Sequence, residues 1–70
     1  MRNEPRWFLL ALPSDDREYV RDRLTVNRYR FEDHQEGFLV FTRSLTTFAQ
    51  WLGKQGIRIR TVPAAADAAA

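Results

Sequence analysis

The sequence predicts an α+β fold: a βαββαβ sandwich whose four-stranded antiparallel sheet, in the order 4-1-3-2, carries two helices on one face. Three observations predict it. Between Arg6 and Val62 the hydrophobic patterns run strand, helix, strand, tight turn, strand, helix, strand, with almost nothing left over. Two of the strand patterns, WFLLALP and FLVF, are apolar on both faces, as the central strands of a covered sheet should be. The other two alternate apolar with charged residues, as half-buried edges do. A chain of 70 residues holds one domain, expected over residues 6–63, between a flexible N-terminus at 1–5 and an Ala-rich, disordered tail at 64–70.

Each element has its own signal. Pro13 ends the first strand, and Ser14 and Asp15 then offer helix N-caps, with Asp15 and Glu18 in capping-box spacing. Asp15, Asp16 and Glu18 also suit the positive end of a helix dipole. That helix runs to about Thr25, burying Val20 and Leu24, with Tyr19 flanking them and Arg17, Arg21 and Asp22 turned to solvent. The second strand, Arg28 to Glu32, points Tyr29 and Phe31 at the core and its charges away. A turn through Asp33 to Gly37 leads to FLVF. Ser44 caps the second helix, where Leu45, Phe48, Ala49 and Leu52 share a face and Trp51 sits at the margin. Gly56 supplies the left-handed position after it. The last strand, Ile57 to Val62, alternates again until Pro63 stops it.

Composition excludes more than it assigns. There is no cysteine, so disulfides, thiolate metal sites and cysteine nucleophiles are absent. The longest apolar run, Trp7 to Pro13, is far too short to span a bilayer and lacks the flanks of a signal peptide; the chain reads as soluble and cytoplasmic. His34, the lone histidine, sits beside Asp33 in a charged hairpin, which is more often a solvated turn than a catalytic pair. Ser14 has no base near it in sequence. No catalytic residue, cofactor or metal ligand is expected, and the chain is read as a non-enzyme. Net charge is only +2, yet from Gly37 to Ala66 there are Arg43, Lys54, Arg58 and Arg60 and no acid. Such asymmetry marks an anionic partner or solvated strand edges.

The alternation of the edge strands places Arg28, Arg30, Arg58 and Arg60 on the sheet face that the helices leave open. Phe8 and Leu10 are assigned to that face from the first strand, and Leu39, Phe41 and Arg43 from the third. An apolar centre flanked by arginines is a partner surface by its chemistry. A protein partner is expected first, and a homodimer would serve the same face.

The order of elements resembles the ferredoxin-like modules, a fold that hosts many unrelated activities. Its strand-one loop, Pro13-Ser14-Asp15-Asp16, lacks the phosphate-cradling arginine of acylphosphatase-like enzymes and the Cys-x-x-Cys of metallochaperones. Leu10, Ala11 and Leu12 stand where a Cas2-like nuclease carries a carboxylate. WFLLALPSDDREYVRDRL is similar to the first strand and helix of an RNA-recognition motif, and GFLVF to its aromatic third strand. That resemblance implies base stacking on Phe8 and Phe41, although Leu39 replaces the small residue of the family's octet and Arg43 one of its aromatics. The expected function is a non-enzymatic protein-binding regulator or inhibitor, of the kind found among phage and mobile-element factors such as anti-CRISPR and host-takeover proteins. The alternative is a single-stranded nucleic-acid binder of the RNA-recognition type.

Overall fold

In the computed structural model, which describes residues 4–64, the chain forms β1 (Arg6–Ala11), a single 3-10 turn (Ser14–Asp16), α1 (Arg17–Val26), β2 (Arg30–His34), β3 (Gly37–Thr42), α2 (Thr46–Lys54) and β4 (Arg60–Pro63). The strands make one sheet in the order β2-β3-β1-β4, antiparallel at every pairing. This is the expected 4-1-3-2 order read from the opposite edge. The flexible start and the Ala-rich tail, apart from Glu4, Pro5 and Ala64, lie outside the described residues.

Register decides which side of each strand meets the helices. Leu10 lies opposite Phe38 and Phe8 opposite Val40 across β1 and β3, while Phe31 lies opposite Val40 across β2 and β3. Leu10, Phe38 and Val40 are fully buried with Val20 and Leu24 of α1 and Leu52 of α2, and Leu45 and Phe48 join them, nearly as dry. Phe8, Tyr29, Phe31, Ile57 and Ile59 pack around this cluster. Both helices therefore cover the same face.

The two helices end in the same way. After α1, the Tyr29 N–H donates to the Leu24 carbonyl (3.0 Å) and the Arg28 N–H to that of Thr25 (3.0 Å). After α2, the Ile57 N–H donates to Leu52 (3.3 Å) and the Gly56 N–H to Gly53 (3.0 Å). Each is a Schellman pair, which satisfies the carbonyls that a helix end orphans and needs a left-handed residue between. Gly56 takes that place after α2 with φ 88°, but after α1 an arginine does, Arg28 at φ 64°. Arg28 thus belongs to a helix cap and not to β2, which begins at Arg30. Arg58 likewise precedes β4, which begins at Arg60.

Helix starts depart from expectation at α1. Ser14 to Asp16 form the 3-10 turn, closed by the Asp16 N–H on the Pro13 carbonyl (3.1 Å), so the helix begins two residues beyond Asp15 and no side-chain cap bond forms there. At α2 the N-cap position is Leu45, which makes no side-chain cap bond; Ser44, expected as the cap, stands one residue earlier, and its Oγ accepts from the Thr46 N–H at 3.2 Å. Arg17 and Arg21, one helical turn apart, do not simply face solvent. Their guanidinium groups lie 4.9 and 5.4 Å from the centre of the Phe38 ring. Both pair with Asp33 of β2, at 3.6 and 3.0 Å, and Arg17 Nη1 donates to the His34 carbonyl at 2.8 Å. The two arginines roof one end of the core and tie α1 to the hairpin.

The β2–β3 hairpin is tighter than expected, with Asp33 and His34 inside β2 and only Gln35 and Glu36 in the turn. Gly37 opens β3 where two backbones nearly touch. A Cβ there would stand 2.0 Å from the Leu10 carbonyl oxygen, closer than any atom pair tolerates. The Leu12 N–H donates to the Glu36 carbonyl (3.0 Å) beside it, which locks the end of β1 to the turn.

Candidate functional site

Because side chains alternate across a strand, the register that buries Leu10, Phe38 and Val40 turns their neighbours outward. These form three rows across the uncovered face. The first reads Arg30, Phe41, Trp7; the second Glu32, Leu39, Leu9, Val62; the third His34, Gly37, Ala11, Arg60. Trp7, Leu9, Ala11, Leu39 and Phe41 are each half-buried, and Val62 is 39% exposed. Beside core neighbours that are completely dry, these apolar groups are wetted on one side only, which is how an unpartnered surface looks.

The rows differ in height. Trp7 and Phe41 stack at 5.1 Å between ring centroids, tilted by 51°. The Arg30 guanidinium lies 5.8 Å from the Trp7 ring and 5.5 Å from that of Phe41, an exposed cation–π arrangement worth about 0.5–1 kcal/mol. The first row is therefore a raised ridge with a cation fixed on it. In the third row Gly37 and Ala11 lie side by side, so the side chains at this hollow end are short, and Gly37 is itself buried. The second row is aliphatic, with Glu32 at the β2 edge.

Arginines lie at both ends of the strands, with Arg58 just before and Arg60 at the start of β4, both exposed, beside the third row. Arg6 opens β1, Arg30 opens β2, Arg28 precedes it and Arg43 follows the end of β3, so all four lie at the ridge end of the sheet, exposed. None of them forms an ion pair among the described residues. Arg6 leans over Phe8, 5.4 Å from its ring centre. At the hollow end Asp33 is engaged by Arg17 and Arg21, and Glu36 stands in the turn, exposed.

The residues expected on this face are thus partly brought together. Leu39 and Phe41 lie on it with Arg30 and Arg60 at the two edges, and Arg43 and Arg28 sit just past its ridge end. Phe8 and Leu10 do not: Leu10 is 0% exposed and Phe8 packs on the core side. Trp7 and Leu9 take their places. A strand that is apolar on both faces has no phase in its hydrophobic pattern, so nothing in WFLLA by period alone chose between the two assignments. The one available signal was chemical, since tryptophan is rarely fully buried and prefers a site where its N–H stays wet.

Elsewhere the surface offers little chemistry. An open groove of about 850 Å³ runs past the hollow end between β4 and α2, lined by Leu12, Ile57, Ile59, Arg58 and Glu36 among others. A smaller one of about 350 Å³ lies between the helices at Tyr29, Phe48 and Trp51. Burial there raises the Tyr29 phenol above its ordinary value of 10.0. The His34 Nδ1 accepts from the Glu36 N–H at 3.0 Å, inside the turn. Among the described residues no cluster of His, Cys, Asp or Glu is placed to hold a metal ion, and no helix is long and apolar enough to cross a membrane. No protein-family model matches the chain, and neither does any curated protein or solved structure.

Proposed function

We propose that this chain is a ferredoxin-like binding module, not an enzyme, that regulates or inhibits a protein partner by seating its open sheet face on that partner. The observation that carries the reading is the continuous outward patch of Trp7, Leu9, Leu39, Phe41 and Val62 at the centre of the sheet, flanked by Arg30 and Arg60. Aromatic and arginine side chains with few other charges are the composition of interface cores. Trp7 and Phe41 are held rigid by each other and by Arg30, so little side-chain entropy is lost when a partner covers them.

The test compares the wild-type chain with Phe41→Glu and Leu39→Glu as immobilised bait. Neither side chain is in the core, so both variants should keep the fold, read as wild-type circular dichroism, with a melting temperature lowered by the lost half-buried contacts. The expected result is a protein retained by the wild type, insensitive to nuclease and lost with either variant. Equal retention by all three baits would remove the open face from the interaction.

One observation favours the nucleic-acid alternative enough to state its test. Trp7 and Phe41 sit on adjacent central strands with Arg30 over both rings, and aromatic platforms with arginine stack bases. The base-stacking pair would then be Trp7 and Phe41, not Phe8 and Phe41. With a net charge of only +2, binding to random single-stranded oligonucleotides should be weaker than roughly 10 μM at physiological salt. Sub-micromolar binding that is lost in Trp7→Ala, with a log-log salt slope of about 0.7 per phosphate contact, would install that reading instead.

A further inference from the structure

β4 pairs with β1 alone, so its other side is an edge of the sheet. The Ala64 N–H donates to the Trp7 carbonyl at 3.0 Å, and the residues that bond a neighbouring strand alternate along an antiparallel ladder. The register of Leu9 with Val62 and Ala11 with Arg60 therefore turns the backbone of Arg60 and Val62 to β1 and that of Thr61 and Pro63 outward. Proline has no N–H to offer. Thr61 is thus the residue of β4 whose donor and acceptor both point away from the sheet, and it is exposed.

Thr61 also lines the groove of about 850 Å³. With it on one wall stand Ile57 and Ile59, which pack on the core cluster; on the other stand Ala49 and Gly53 of α2, one helical turn apart. Gly53 is exposed, its φ is not left-handed, and a Cβ there would meet nothing within 4 Å. Glycine weakens a helix, and neither conformation nor close approach requires it here; what its bare Cα leaves is room in the groove wall. Arg58 and Arg60 alternate with the two isoleucines and are exposed, and neither forms an ion pair among the described residues. Against them the groove is lined by one carboxylate among the described residues, Glu36.

We propose that this edge takes an extended peptide segment of a partner, one in which acidic and apolar residues alternate, added to the sheet beside β4. The backbone of the segment bonds Thr61, as addition of a strand to a sheet edge requires. Side chains alternate across a strand, so every second residue enters the groove against Ile57, Ile59 and the space at Gly53. Those between lie toward the open face, beside Arg58 and Arg60, where carboxylates form opposite-charge cross-strand pairs. A second copy of β4 would instead set arginine against arginine, and charge of this kind keeps identical edges apart. The opposite edge suits the segment less, because β2 carries Glu32 and Asp33, and Arg17 already donates to its His34 carbonyl. Leu39 and Phe41 lie two strands away from β4, so the site is separate from the patch assigned to the protein partner above.

Amide NMR of the full chain, titrated to millimolar with a capped hexapeptide alternating Glu and Val, reads the site. The expected result is a shift and slowed solvent exchange of the Thr61 N–H, with shifts at Ala49 and Gly53 and none at Leu39 and Phe41. The matching Lys–Val hexapeptide should bind about tenfold more weakly or worse, and the double variant Arg58→Glu, Arg60→Glu should exchange that preference. Thr61→Pro deletes the outward donor and leaves the ladder to β1 intact. Gly53→Leu fills the groove with a better helix former. Each should weaken the Glu–Val peptide about tenfold with unchanged circular dichroism. An unshifted Thr61 at millimolar peptide overturns the proposal, as does equal binding of the two peptides or a Gly53→Leu variant that binds like the wild type. Shifts confined to Leu39 and Phe41 would also overturn it and would leave the proposed function standing. If Thr61→Pro misfolds, Gly53→Leu and the charge reversal decide.

Discussion

Replacing Arg28 by glycine should stabilise this protein, and the size of the gain can be worked from the two helix ends. Arg28 and Gly56 occupy the same place in the same hydrogen-bond pattern, at φ 64° and 88°. A residue with a Cβ at such a φ costs roughly 1–2 kcal/mol. Glycine removes that cost, but it loosens the unfolded chain, which gives back about 0.4–1 kcal/mol. Arg28 makes no ion pair or side-chain hydrogen bond among the described residues, so no contact energy is lost. The net gain is about 0.5–1 kcal/mol. For a domain of 60–100 residues, 1 kcal/mol moves the midpoint by about 4–8 °C, so Arg28→Gly should melt a few degrees higher by calorimetry or circular dichroism. Arg28→Ala is the control. Alanine keeps the Cβ and discards the charge, so it should leave the melting temperature near that of the wild type. If alanine stabilises as much as glycine, relief of arginine repulsion is the cause and not the backbone. If glycine destabilises, the left-handed cap has been misread.

Three further outcomes follow from the same geometry. Gly37→Ala should cost at least about 2 kcal/mol or prevent folding, because its Cβ would collide with the Leu10 carbonyl at 2.0 Å; denaturant titration measures it, and a neutral result would contradict the β1–β3 register. Leu10→Ala should cost about 3 kcal/mol as a buried truncation, whereas Leu9→Ala, on the open face, should cost less than half as much; equal costs would mean that the open face is covered in the monomer. The raised Tyr29 phenol predicts a loss at high pH. Below about pH 10 both folded and unfolded chains keep the proton and this group contributes no slope. As pH rises past 10.0 the unfolded phenol ionises first, so stability falls with pH until the folded group also titrates. Tyr29→Phe should remove that part of the decline in urea titrations run from pH 8 to 11, and an unchanged slope would assign it to other groups.

The sequence by itself determined the succession of elements and the sheet order, and for a physical reason. β2 and β4 pair on one edge only, so their alternation shows both their phase and their place. β1 and β3 carry apolar residues on the open face as well as on the core face, so their patterns show a central place and no phase. Gly56 was legible as a cap because it acts on a backbone group only three residues away, while Ser44 marked the start of α2 to within one residue of its N-cap, Leu45. What only tertiary structure decided was the phase of β1. It is fixed by Gly37, whose bare Cα must lie against the Leu10 carbonyl, and by Phe38, which is buried opposite Leu10. From that one register Trp7 and Leu9, not Phe8 and Leu10, emerge on the open face. Arg28 was hidden for a related reason. Nothing in its residue type announces a left-handed backbone, and it takes that conformation because Tyr29 must turn back onto Leu24 for Phe31 to enter the core. Arg17 and Arg21 read as solvent-facing helix charges until the hairpin delivered Asp33 and the Phe38 ring to them. Periodicity records which face of an element is buried, whereas partners that come from distant parts of the chain leave no mark on it.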